Sequence, residues 1–279
     1  MGTGVDAKMK KLLVMLLAWA ALYGQVQAQP LTIGIVPQQS ATVLATNWSP
    51  ILQYLRERTG IELHFATAAD IPTFERRLLA GEYDIAYMNP YHFTFFNKHR
   101  DFTAMVRRGD ASIQGIIVVR KDSAIQSLQQ LDGQKLAFPS PAAFAASVVP
   151  RAEIAKQGIN IEPVYVSSHD SVYLNVSKGF FVAGGGIGRT LNATNPQVNE
   201  QLRVLWQTKP YTPHAIAAHP RVDSVAVTKL TEALVDMADD AEGKALLEPL
   251  KIARWQASDN ADWDDVRSLG ITLLDSLIE

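Results

Sequence analysis

Gly81-Glu82-Tyr83-Asp84-Ile85-Ala86-Tyr87-Met88-Asn89-Pro90-Tyr91-His92-Phe93 reads as a short buried strand that breaks into a turn. Gly81 follows a helical run, residues 84–88 are mostly apolar and of strand length, and Asn89-Pro90 stops the strand, because proline fixes φ and removes a backbone donor. Open α/β sheets bind ligands outside the carboxyl ends of their strands. Tyr87, Asn89, Tyr91 and His92 are therefore the first candidates for a binding surface. The plainer reading is that residues 91–96 only start and pack the next helix.

On the N-terminal side, residues 31–36 form a β-branched strand ended by Pro37. Residues 48–59 form an amphipathic helix behind Thr46 or Asn47, with Trp48, Ile51, Leu52 and Leu55 on one face. Residues 61–66 alternate as a strand, and Asp70 or Thr73 can cap a helix over 74–80. This β-α-β-α-β order begins a doubly wound parallel sheet.

The same order recurs on the C-terminal side. Strands are expected at 114–120, 135–138 and 163–166, the second ending at Pro139-Ser140-Pro141. Helices are expected at 127–131, 142–156 and 171–177, with Pro150 kinking the second or marking a later start. A strand at 179–183 then runs into Gly184-Gly185-Gly186. Two similar lobes follow from the repetition. Residues 202–206 and 214–217 cross back, and 225–237 with the polar tail complete the first lobe. The expected division is 29–114 and 208–279 for one lobe and 115–207 for the other. Trp206, Tyr211 and Pro213, on the return crossing, read first as hinge and cleft-rim packing.

Residues 1–28 are set apart. Lys8, Lys10 and Lys11 precede an apolar run over residues 12–22, and Val26-Gln27-Ala28 supplies small residues where a signal peptidase cuts. The run is too short to span a bilayer. A cleaved signal peptide is expected, with the mature chain starting at Gln29 in the periplasm, and Met9 is a more ordinary start than Met1. The 279-residue chain has no cysteine, which excludes a lipid-anchored cysteine and a disulfide framework. Residues 29–279 carry 23 basic and 27 acidic side chains, a net charge of −4, with no basic stripe for nucleic acid or anionic lipid.

These segments resemble the periplasmic binding proteins of phosphate, phosphite and phosphonate ABC transporters, within the type II class. The resemblance covers nearly all of the mature chain. It rests on Ile33-Gly34-Ile35-Val36-Pro37, on Trp48-Ser49-Pro50-Ile51-Leu52, on Tyr83-Asp84-Ile85-Ala86-Tyr87, and on Val118-Val119-Arg120-Lys121-Asp122-Ser123 with Leu131-Asp132-Gly133. It continues in residues 138–150, in Ser168-His169-Asp170, and in Trp206 followed by Pro210 and Pro213. It implies a two-lobed fold, each lobe a mostly parallel sheet flanked by helices. It also implies a monomer that closes on a small-molecule ligand and meets an inner-membrane partner, either an ABC permease or a sensor kinase.

In that family a Ser-Thr-Ser-Gly turn at a helix N-terminus wraps the anion with hydroxyls and backbone N–H groups. The equivalent residues here are Ala143, Phe144, Ala145 and Ala146, so the backbone donors stay and the hydroxyls are gone. The family's ligand tyrosines fall on Ile71 and Met88, with Tyr87 one place away. Residues 180–183 replace the acidic side chains that hold an aminoalkyl group, and only the histidine is kept, as His169. The resemblance carries over the fold and the role but not the ligand.

Gly184-Gly185-Gly186-Ile187-Gly188-Arg189-Thr190 could form an anion nest, or a turn that lets two backbones approach, and it lacks the dinucleotide fingerprint. No cofactor is expected. The planar fork of Arg189 suits carboxylate, sulfonate or phosphoryl oxygens. The histidine spacings match no metal site, and Ser140 and Ser168 lie at strand ends without a Gly-x-Ser-x-Gly elbow. Binding without catalysis is expected. The candidate ligand set is Tyr87, Asn89, Tyr91, Ser140, Phe144, Ala145, His169, Arg189 and His214, with both histidines read as neutral donors.

Overall fold

The computed structural model describes residues 29–109 and 112–278. The expected signal peptide over 1–28 lies outside the described residues. The first sheet is built on β1 (Leu31–Ile35), α1 (Ala41–Thr59), β2 (Leu63–Ala66), α2 (Ile71–Leu79), β3 (Ile85–Met88), α3 (Pro90–Arg100) and β4 (Thr103–Arg108). The second is built on β5 (Gly115–Arg120), β6 (Lys135–Phe138), α4 (Val149–Lys156), β7 (Glu162–Tyr165), α5 (His169–Ser177), β8 (Ala183–Ile187), α6 (Gly188–Ala193) and β9 (Leu202–Gln207). The chain then returns through β10 (Ala215–Ala218), α7 (Ser224–Asp236) and β11 (Trp255–Ala257) to the first sheet.

Strand order is β11-β4-β10-β3-β1-β2 in the first sheet and β7-β6-β8-β5-β9 in the second. The expected parallel β-α-β-α-β core is present in both, as β2-β1-β3 and β7-β6-β8. Each sheet as a whole is mixed, because the crossing strands β5 and β10 run antiparallel to both of their neighbours. The run Ile116-Ile117-Val118-Val119 shows why a central strand reads as continuously apolar. Ile117 and Val119 pack with Leu136, Phe138 and Ile154 on one face, while Ile116 and Val118 pack with Val172 and Tyr173 on the other.

Helix starts depart from expectation where a better cap lies upstream. Helix α1 begins at Ala41 rather than near Trp48, because Ser40 accepts from the Val43 N–H. Asp70, not Thr73, caps α2. The segment 142–156 divides after Val148 into a π-helical turn, Phe144–Val148, and α4, whose first turn holds Pro150. Strands β4 and β11 carry no strong pattern in the sequence and emerge only from their pairing.

Gly184, Gly185 and Gly186 are a correction. They are not a turn after a strand but the middle of β8, paired with Val118, Ile117 and Ile116. Their N–H groups stand in the sheet rather than in an anion nest. A Cβ at Gly185 would lie 2.0 Å from the Ala146 carbonyl oxygen, and one at Gly186 would lie 2.3 Å from the Tyr173 hydroxyl. The bare strip lets the π-helical turn and α5 press against the sheet.

The two crossings between the sheets are paired with each other. Ile113 and Tyr211 exchange backbone hydrogen bonds of 2.8 and 2.9 Å, and Thr208 Oγ1 accepts from the Gly115 N–H. The core of the first sheet also continues into residues 142–146, Val149 and Ile187 of the second.

Candidate functional site

Strand ends and helix starts converge where the sheets face each other. Gln38 follows β1, Asn89 follows β3, residues 143–146 follow β6, Ile187 ends β8, His169 opens α5, and all line one small cavity with His214. Gln38 is the hub. Arg189 Nη2 donates to Gln38 Oε1 at 2.6 Å, and Gln38 Nε2 lies 2.9 Å from His214 Nε2. Arginine can only donate, so it fixes the amide oxygen towards itself and the amide nitrogen towards His214. His214 Nε2 must then accept, which leaves the ring neutral with its proton on Nδ1. Burial, then the positive charge of Arg189, holds His214 well below its ordinary value.

His169 is held to the same loop, its N–H donating to the Gln38 carbonyl at 3.2 Å. Its Nδ1 stands 3.1 Å from Thr190 Oγ1, which is 2.7 Å from the Tyr173 hydroxyl. Burial and then Arg189 push His169 down to about 3, so it is neutral at pH 7. The two histidines are thus both uncharged polar groups in the wall of the cleft.

Tyr87 stacks on His214 with ring centroids 5.0 Å apart and lies 6.0 Å from the Arg189 guanidinium carbon. It is 2 % exposed, and its hydroxyl has no hydrogen-bond partner among the described residues. A second cavity of about 130 Å³ opens beside it, towards the paired crossings, lined by Tyr87, Arg108, Arg189, Gln207 and His214 among others.

Asn89 lies in the cleft, but its side chain has two structural duties. Its Oδ1 caps α3 by accepting from the His92 N–H, and its Nδ2 reaches the Ala142 carbonyl at 3.4 Å. Phe144 and Ala145 line the small cavity, and Phe144 meets Tyr211 edge-on at 5.4 Å. That cavity measures about 10 Å³, room for roughly one water.

Other candidates fall elsewhere. Tyr91 is buried away from both cavities, its hydroxyl accepting from the Leu274 N–H at 2.8 Å, and burial pushes it up to about 12. It anchors the C-terminal tail. Ser140 is buried, its hydroxyl without a partner among the described residues, and it lines neither cavity. His92 is paired with buried Glu75 at 2.8 Å, inside the first lobe. Gln38 went unnoticed in the sequence, although it follows the end of β1 as Asn89 follows β3, and position alone was the available signal. Among the described residues no cluster of histidine and carboxylate groups is arranged to hold a metal ion, and no helix is long and apolar enough to cross a membrane.

The comparisons agree with this architecture. The phosphate-import protein PhnD of Mycolicibacterium smegmatis is 21 % identical over 224 residues, covering 72 % of this chain and 70 % of that protein. A binding-protein component of an ABC phosphonate transporter from Pseudomonas aeruginosa superposes with a TM-score of 0.80 at 20 % identity, over 87 % of this chain and 86 % of that one. PhnD1 of Prochlorococcus marinus, solved with methylphosphonate, gives a TM-score of 0.79 at 16 % identity, over 86 % and 96 %. These two structures are similar in fold. A family model described as ABC transporter, phosphonate, periplasmic substrate-binding protein matches residues 33–263, and the chain therefore belongs to the periplasmic substrate-binding proteins of phosphonate ABC transporters.

Proposed function

We propose that residues 29–279 act in the periplasm as a monomeric receptor that closes its two lobes on a small anion and presents the closed form to an ABC permease. Residues 29–114 and 208–279 form one lobe and 115–207 the other. The observation that carries the reading is the contact of Arg189 with Gln38, which brings a positive charge from the second sheet to the strand ends of the first. A guanidinium placed where such sheets take their ligands favours an anion. The chemistry is capture and release, and no bond is made or broken.

The reading departs from the ligands in the relatives' names. Their phosphonate and phosphate would lack hydroxyl donors at Ala143, Phe144, Ala145 and Ala146, which are buried in apolar packing here. Thermal unfolding against a library of small anions tests the role. A true ligand at 100 times its dissociation constant adds about 2.7 kcal/mol of stability. A library without a single stabilising anion would contradict the proposal.

A further inference from the structure

The C-terminal segment over 259–274 holds one crossing between the sheets directly and the root of the other. On the return crossing three hydrogen bonds fall on two adjacent residues. Asp265 Oδ2 accepts from the Thr212 N–H at 2.7 Å, the Asp262 carbonyl accepts from the Thr212 hydroxyl at 2.8 Å, and the buried Trp263 indole donates to the Pro213 carbonyl at 2.8 Å. On the outbound side Asp262 pairs with Arg107 at 3.2 Å, near the end of β4 and just before that crossing begins. The segment is fixed to α3 as well. Trp263 meets Phe93 with ring centroids 4.5 Å apart, Arg267 Nη2 donates to Asn97 Oδ1 at 2.8 Å, and the Leu274 N–H donates to the Tyr91 hydroxyl. Beside that last anchor the chain reaches the second sheet. Leu273, 46 % exposed, shares a groove of about 380 Å³ with Val148, Ala152, Ala155 and Ile159, and every lining residue other than Leu273 lies within 148–163.

We propose that this segment is a brace on the hinge, in which residues 262–265 fix the pivot of the return crossing at Thr212-Pro213 and Leu273 docks on the second lobe as a third link between the lobes. The groove's occupant is therefore this chain's own tail. Val148, Ala152 and Ala155 recur at the spacing that places side chains on one helix face, and they present that apolar face to an apolar side chain. Leu274 is buried and held by Tyr91, so Leu273 is carried with the first lobe, and the lobes part only by withdrawing it from the groove. With Thr212-Pro213 tied to the first lobe, bending of the return crossing is confined to residues 208–211, and His214 next to the clamp keeps its place in the cleft wall. A brace of this kind sets the balance of open and closed forms, and through it the apparent affinity for any ligand. That consequence rests on the receptor reading above, whereas the brace itself is tested without a ligand.

The chain carries no cysteine, so an introduced pair is unique. In the chain from Gln29 to the C-terminus, Leu273→Cys with Ala152→Cys is expected to be joined by a short bismaleimide crosslinker in most molecules. Val225→Cys with Ala152→Cys is the control and should be joined in few, because Val225 starts α7 beyond the end of β10 that points away from the crossings. Two substitutions at exposed positions release the brace without entering the core, Asp265→Ala and Leu273→Asp. Each is expected to enlarge the scattering radius while keeping the melting temperature within about 2 °C of the natural chain. Asp265→Asn, which keeps an oxygen for the Thr212 N–H, is expected to restore the natural radius. A crosslinking yield no higher for Leu273 than for Val225 would overturn the proposal, and so would an unchanged radius in both Asp265→Ala and Leu273→Asp. A radius that grows only together with a large fall in melting temperature would assign the segment to the fold of the first lobe and overturn the brace as well. None of these readouts uses a ligand, so their outcome is separate from that of the anion library.

Discussion

Arg189 and Gln38 meet at 2.6 Å across the cleft, a hydrogen bond between residues 151 positions apart that joins the first turn of α6 to the loop after β1. Because an arginine can only donate, this contact orients the Gln38 amide and, through it, sets the tautomer of His214. The same loop accepts from the His169 N–H. One glutamine therefore couples a cation and both cleft histidines, and it sits where the lobes touch.

Replacing Gln38 tests that coupling. Gln38→Ala removes a charge-assisted hydrogen bond and the partner of a buried imidazole, at a cost of about 2–3 kcal/mol in urea unfolding. The scattering radius is expected to grow as the lobes part. Unchanged stability together with an unchanged radius would show that the contact holds nothing.

Acid should weaken the fold through the buried histidines. In the unfolded chain both titrate near the ordinary 6.5, whereas in the folded chain His169 stays neutral to about pH 3 and His214 to well below its ordinary value. The groups that hold His214 neutral after burial are Arg189, His169, His92 and Arg108. Below about pH 6.5 the unfolded chain binds more protons, so stability present above that pH is lost as it falls, by up to roughly 1.4 kcal/mol per unit for each histidine. Melting curves between pH 7 and 5 should slope more steeply for the natural chain than for a variant carrying His169→Gln and His214→Gln. Equal slopes would contradict neutral burial.

Gly185→Ala should be damaging for a reason unrelated to turns. The added Cβ would stand 2.0 Å from the Ala146 carbonyl oxygen and 2.5 Å from the Phe138 ring, so main chain must move. The expected loss is about 3 kcal/mol or more. Gly188→Ala, with nothing within 4 Å, is the matched control and should be close to neutral. Equal melting temperatures for the two variants would refute the close approach.

The elements were legible where local chemistry decides them. Asn89-Pro90 ends β3 and starts α3, Gly60 ends α1, and the apolar run at 116–119 is a central strand, all as the sequence implies. Gly184-Gly185-Gly186 misled because glycine is a turn former by local rule, while its role here is set by Ala146 and Tyr173 pressing from other elements. Tyr91 misled for a similar reason, since the group that takes its hydroxyl is the Leu274 N–H, 183 positions away. Arg189 was readable as a planar fork suited to anion oxygens, and His169 and His214 as neutral donors in a cleft. The glutamine that joins them was not, because all three of these partners lie far along the chain.

Export gives an independent check on the periplasmic role. N-terminal sequencing of the periplasmic fraction is expected to start at Gln29. Recovery of Met1 or Met9 in a membrane fraction would contradict cleavage.

The central claim is that Arg189 holds the anion. Calorimetric titration of the natural chain and Arg189→Ala with whichever small anion most raises the melting temperature tests it most directly. Losing two charge-assisted hydrogen bonds should weaken binding by about 100-fold or more. An Arg189→Ala chain that binds the same anion with unchanged affinity would contradict the account.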